Sequence, residues 1–191
     1  MNFNQQKQNY LDKMKSLCNG GKDKSKVGGI DKEIKPLIDK INANEYFYTT
    51  SSCAGRIIIT TMPKNGRNYE WLLISHDPVN FPEINAVVSG LNVEDEVWFK
   101  MDGFIIHLCC ADLESANLLL KRLKAIGLKR SGIISLKDRI IIEIIGNERV
   151  ECPIYDQKLL VDEDFLRVLI EKANDRLIKN REWIDKLVDV F

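Results

Sequence analysis

The order of apolar and polar residues divides the chain into helical and extended stretches. Phe3, Tyr10, Met14 and Leu17 recur at roughly helical spacing and predict a helix over 2–18. The segment "NGGKDKSKVGGID" (19–31) breaks that pattern with paired glycines and lysines, and reads as a positively charged loop. Ile34, Leu37, Ile38 and Ile41 then fit the i, i+3, i+4, i+7 template, predicting a short helix that ends near Asn42-Ala43-Asn44. Beyond it the chain becomes strand-rich. "EYFYTTSS", "GRIIITT" and "YEWLLISHD" predict successive strands, with a turn in "MPKNGRN" tipped by Asn65-Gly66. "DPVNFPEI" reads as a proline-punctuated loop, and "EVWFKMDGFIIHLCC" as one long strand or two, kinked near Asp102-Gly103. Asp112 is placed to cap a helix through Leu113, Ala116, Leu120 and Leu123, with Gly127 as its stop. "LKRSGIIS" and "DRIIIEIIG" predict a hairpin. After "CPIYDQKLLVDED", a helix over 162–190 carries the stripe Phe165, Leu169, Ala173, Leu177, Ile184 and Leu187.

This pattern predicts an α+β fold with a mixed, mainly antiparallel sheet, helices packed against it, and a core over 32–155 within one domain, 1–191. Two helix–strand–strand stretches echo each other: one leads from Ile34–Ile41 into "RIIIT", the other from Leu113–Ile126 into "RIIIEI". Alternation of helices and strands alone can produce such an echo, and a true internal duplication stays open. No GxGxxG follows a first strand, which argues against a Rossmann fold. The formal net charge of +0 excludes a globally basic nucleic-acid binder and leaves room for a local basic patch. No stretch is apolar enough to span a bilayer, and "MNFNQQKQNY" lacks the apolar core of a signal peptide. Five cysteines without a CxxC pair fit a reducing cytoplasm better than a disulfide framework or a zinc site.

Chemistry concentrates in a few places. Ser51-Ser52-Cys53-Ala54-Gly55-Arg56 joins two strands through small residues that let backbone approach a ligand, and Arg56 adds a planar fork for phosphate or carboxylate. The bland alternative is a bulge or crossing where small residues are needed for packing; a third reading makes Cys53 a nucleophile. His76 ends a strand beside a loop, the better placement for a site. His107 lies in an apolar strand, where a satisfied core histidine is the usual outcome. Either can act as a general base near neutral pH. The two give no metal-ligand spacing, and no metal is expected. Lys22, Lys24 and Lys26 form either a solvated loop or a phosphate contact. Lys121, Arg122, Lys124, Lys129 and Arg130 form a second cluster near a helix C-terminus, where the dipole favours cations. Arg130-Ser131-Gly132 repeats the arrangement of an arginine beside small residues. Of Tyr46, Phe47, Tyr48, Trp71 and Trp98, alternation buries some and leaves others to stack on a base.

The ordered stretches "DKSKVGGID", "YFYTTSSCAGRI", "WLLISH", "FKMDGFIIHL", "LKRSGI" and "LVDEDFLRVLIEKAN", from Asp23 to Asn174, resemble the wybutosine-synthesising protein 3 family. The most specific piece is "SSCAGR". The resemblance implies a cytoplasmic, S-adenosylmethionine-dependent methyltransferase. Its target would be a ring nitrogen of the tricyclic wyosine-type base beside the anticodon of phenylalanine tRNA. A short stand-alone chain resembles the archaeal members. On this reading His76 is the first candidate to accept the ring proton and His107 the second, with Ser52 in the catalytic set. Ser51, Cys53, Gly55, Arg56, Arg130, Ser131 and Gly132 would face cofactor or base. Lys22, Lys24, Ser25 and Lys26 would grip the tRNA backbone. The chain departs from the family pattern at Ala54, commonly serine, and at Asp102-Gly103, often Glu-Pro. The competing reading is a non-catalytic RNA-binding module, which needs the basic loop and the aromatics but neither histidine.

Overall fold

Two four-stranded antiparallel sheets carry the chain, each with its own core. The computed structural model describes residues 2–18, 30–63 and 69–191. The predicted lysine loop and the Asn65-Gly66 turn lie outside these. Among the described residues are helices α1 (Phe3–Cys18), α2 (Lys35–Ala43), α3 (Phe81–Ser89), α4 (Leu113–Ala125) and α5 (Glu163–Val188). The strands are β1 (Phe47–Cys53), β2 (Arg56–Met62), β3 (Trp71–Ser75), β4 (Glu96–Asp102), β5 (Ile105–Cys110), β6 (Gly132–Ser135), β7 (Ile140–Ile145) and β8 (Arg149–Tyr155). No helix among the described residues is long and apolar enough to cross a membrane.

The chain divides into two compact units. Unit 1 comprises Met1–Ala54, Phe104–Gly146 and Trp183–Phe191; unit 2 comprises Gly55–Gly103 and Asn147–Glu182. In unit 1 the strand order is β1-β5-β7-β6. One face of this sheet (Phe47, Ile106, Leu108, Ile142, Ile144) closes on α2 through Leu37, Ile38 and Ile41, and on α4 through Ala116, Leu119 and Leu123. Asp112 caps α4 in a reciprocal box with Ser115, and Gly127, at φ +102°, turns the chain out of the helix where a Cβ would be strained. On the opposite face α1 covers Tyr48 with Phe3 and Tyr10, at ring-centroid distances of 5.3 and 5.2 Å.

In unit 2 the order is β3-β2-β4-β8, and Ile57, Ile59, Val97, Phe99 and Met101 pack with Ile84 of α3 and Leu166, Ile170, Ala173 and Leu177 of α5. Two elements here differ from the sequence reading. The proline-punctuated loop contains helix α3: Asn80 caps it in a box with Glu83, and Pro82 stands in the first turn, where no N–H is required. The stretch before the C-terminal helix contains strand β8 despite Pro153, because β8 is an edge strand and one side needs no donors. The long strand around Asp102-Gly103 is two strands, β4 and β5, which belong to different sheets. The internal echo stops at the helices, since β6 and β7 pair with each other whereas β1 and β2 do not share a sheet.

Candidate functional site

A row of polar residues runs straight across the sheet of unit 1. Ser51 of β1 is in register with His107 of β5, His107 with Glu143 of β7, and Glu143 with Gly132 of β6. Directly paired residues of antiparallel strands share a face, so all four lie on the side away from the α2–α4 core. Ser51 reaches that face through a β-bulge. The register shifts between Thr49 and Ser51, and the extra residue, Thr50, donates its hydroxyl to the His107 carbonyl at 3.2 Å. In a regular ladder the alternation from Tyr48 would turn Ser51 into the core.

The row is hydrogen-bonded. Ser51 Oγ lies 2.9 Å from His107 Nδ1, and His107 Nε2 lies 2.8 Å from Glu143 Oε2. An ionised carboxylate only accepts, so the neutral imidazole carries its proton on Nε2, and Nδ1 accepts from the Ser51 hydroxyl. Ser51 is exposed and the imidazole and carboxylate are half-buried, with side chains 30% and 26% accessible. Such a row has the chemistry to take a proton at the serine end and to face an imidazolium with a carboxylate at the other.

The rest of the "SSCAGR" motif divides between the units, with Ser52, Cys53 and Ala54 in unit 1 and Gly55 and Arg56 in unit 2. Ser52 pairs with Ile106 and so alternates to the opposite face, whereas Cys53 pairs with Ile105 and returns to the face of Ser51. The Ala54 N–H donates to the Asp31 carboxylate at 2.7 Å, anchoring the end of β1. Gly55 adopts φ +95°, a conformation that a side chain would strain, and its carbonyl lies 3.0 Å from His76 Nδ1. That contact puts the lone pair of the neutral His76 ring on Nε2. The backbone at His76 is held in turn by Arg181, which donates to its carbonyl at 2.8 Å and pairs with Asp77 at 3.0 Å. Arg56 lies over the Trp71 ring, 4.8 Å from its centroid. Asp102 is in register with Arg56 on one side and Arg149 on the other. Beside this row Glu151 bonds both Lys100 and Arg149, at 2.9 and 2.7 Å. Burial pushes its carboxyl up, but the two cations outweigh this and leave it below its ordinary value.

Arg130 is exposed, whereas Ser131 is buried and its hydroxyl has no hydrogen-bond partner among the described residues. A Cβ on Gly132 would meet nothing within 4 Å, so the row ends beside open space next to Glu143. Lys22, Lys24, Ser25 and Lys26 lie outside the described residues. Sequence reasoning passed over Glu143, although a lone carboxylate in "IIIEII" was a usable signal: burying a charge in a run of isoleucines costs free energy unless a partner waits across the strand. It also passed over Asp31, and it held a bulge at the motif as one alternative without placing it at Thr50.

Residues 5–191 match the family described as Methyltransferase TYW3. The chain is 37% identical over 169 residues to a Methanocaldococcus jannaschii protein named tRNA(Phe) 7-((3-amino-3-carboxypropyl)-4-demethylwyosine(37)-N(4))-methyltransferase, covering 84% of this chain and 87% of that one. A protein of the same name from Thermococcus sibiricus is 34% identical, with coverages of 98% and 93%. The chain also matches tRNA wybutosine-synthesizing protein 2/3/4 of Arabidopsis thaliana at 35% identity, spanning only 18% of that longer protein. The fold matches the structure of PH1069 protein from Pyrococcus horikoshii with a TM-score of 0.87 and 29% identity, covering 98% of this chain and 93% of that one. On both sequence and fold, this chain belongs to the TYW3 methyltransferase family.

Proposed function

We propose that this chain methylates N4 of a 4-demethylwyosine-type base at position 37 of phenylalanine tRNA, in the cytoplasm, with S-adenosylmethionine as methyl donor. The names of the archaeal relatives support the substrate class. The observation that carries the reading is the Ser51–His107–Glu143 row, because methylating a ring nitrogen that bears hydrogen needs a proton acceptor beside it. His107 is the stronger candidate, since a carboxylate backs its far nitrogen. His76, whose ring is tied to a backbone carbonyl, is the alternative tested in parallel.

The sulfonium of the donor, when bound, supplies an electrophilic methyl group. The Ser131 hydroxyl, which has no hydrogen-bond partner among the described residues, and the open space over Gly132 fit a polar ligand, and with Arg130 they would hold the amino-acid end of the donor. Ser51 and Cys53 would orient the tricycle, and Lys22, Lys24, Ser25 and Lys26 would grip the anticodon stem-loop backbone. Orientation supplies much of the rate in such a transfer. The test is incubation with donor and phenylalanine tRNA carrying the unmethylated tricycle, read by nucleoside mass spectrometry. A gain of one methyl on the tricycle, lost in His107→Asn and kept in His76→Asn, is the expected result. No methylation by the native protein, with tRNA still bound, would leave the RNA-binding module in its place.

A further inference from the structure

Glu143 is out of place in "RIIIEIIG". It sits on β7, an interior strand of its sheet, between Ile141 and Ile145 on the same face. A half-buried carboxylate there loses hydration that only a well-placed partner offsets. Its partner among the described residues is His107, and Gly132 opposite leaves the other side of the pair uncrowded. We infer that Glu143 is a positioning residue for methyl transfer: it holds His107 with the proton on Nε2, so that Nδ1 faces Ser51 and the Ser51 hydroxyl becomes the group that meets the substrate. This rests on the function proposed above.

The step balances. Ser51 Oγ takes the proton of the ring nitrogen while passing its own to His107 Nδ1. The new N–CH3 bond forms as the S–CH3 bond breaks and the sulfur leaves as a neutral thioether. His107 ends as an imidazolium between Ser51 Oγ and the Glu143 carboxylate. A negative charge 2.8 Å from Nε2 faces that cation and fixes the orientation of the ring toward Ser51. Because β1 is an edge strand and Ser51 is exposed, the serine can reach a base too bulky to enter the sheet face beside the imidazole.

Glu143→Gln keeps the shape and removes the charge. Single-turnover methyl transfer should fall ~10-fold or more with KM for tRNA unchanged, a split that general loss of structure does not give. Nitrogen-edited proton NMR of the His107 ring provides a readout without turnover. The native protein should show a downfield Nε2–H resonance, absent in His107→Asn and shifted upfield in Glu143→Gln. Native transfer rates in Glu143→Gln, with His107→Asn inactive, would overturn the role of Glu143 and leave the proton acceptor standing. Native rates in His107→Asn would overturn both.

Discussion

The two serines of the motif are adjacent and chemically identical, and the fold gives them opposite fates. Ser51 faces His107 across the strand pair, and Ser52 faces the other way. Replacing each in turn by alanine isolates that difference. Ser51 is exposed and makes one hydrogen bond to the imidazole, so its loss should cost at most about 1 kcal/mol of stability. For a chain of this size that is a drop of roughly 2–4 °C in melting temperature. If Ser51 passes the proton, the chemical step loses a share of the roughly 10²–10⁴-fold that general base catalysis supplies. Ser51→Ala should then slow single-turnover methyl transfer by about 10²-fold, whereas Ser52→Ala stays within about 10-fold of the native rate. The assay is rapid-quench transfer of labelled methyl to purified tRNA at saturating enzyme, with melting curves for both variants. A silent Ser51→Ala beside a crippled Ser52→Ala would refute the assignment, because the bulge at Thr50 would then point the wrong serine at the chemistry.

Three further expectations follow from the same geometry. Gly132→Leu fills the space beside Glu143; its stability should stay within about 0.5 kcal/mol of native, while KM for donor or tRNA rises roughly tenfold, and unchanged kinetics would empty that space of meaning. Asn80→Ala removes the capping box of α3 and should cost about 1 kcal/mol in a denaturant titration, with no effect on the rate of transfer by the folded protein. Burial pushes the Cys109 and Cys110 thiols up, Cys110 to about 12, so thiolate is scarce at both; mass mapping after iodoacetamide at pH 8 should find them unlabelled until the protein unfolds.

Periodicity was enough to read most elements of this fold. The amphipathic helices and the isoleucine-rich strands appear where spacing put them, because their burial patterns are regular and their caps local. It failed at prolines. Pro82 suits the first turn of a helix and Pro153 suits an edge strand, but a proline in a sequence announces neither neighbour. The site was legible as a set of residue types and illegible as a geometry. Which serine meets which histidine depends on one extra residue in a strand, and the value of Glu143 depends on the strand that pairs with it. Both are facts of register, which side-chain alternation within a single strand cannot contain.

The distribution of α5 bears on how the protein is made. Its last turns and the residues after it, Ile184, Leu187 and Val190, are buried in a core begun by Ile34 and Leu37, and Phe191 packs edge-on against Phe47 at 5.8 Å. Chains generally fold unit by unit as they leave the ribosome, the earlier segments first. Unit 1 cannot follow that order, because its hydrophobic interior lacks a wall until Ile184, Leu187 and Val190 have been synthesised. The strands bearing Ser51, His107 and Glu143 therefore wait on Ile184, Leu187 and Val190, and a nascent chain cut short before Ile184 would present an unfinished interior to the proteases and chaperones of the cell.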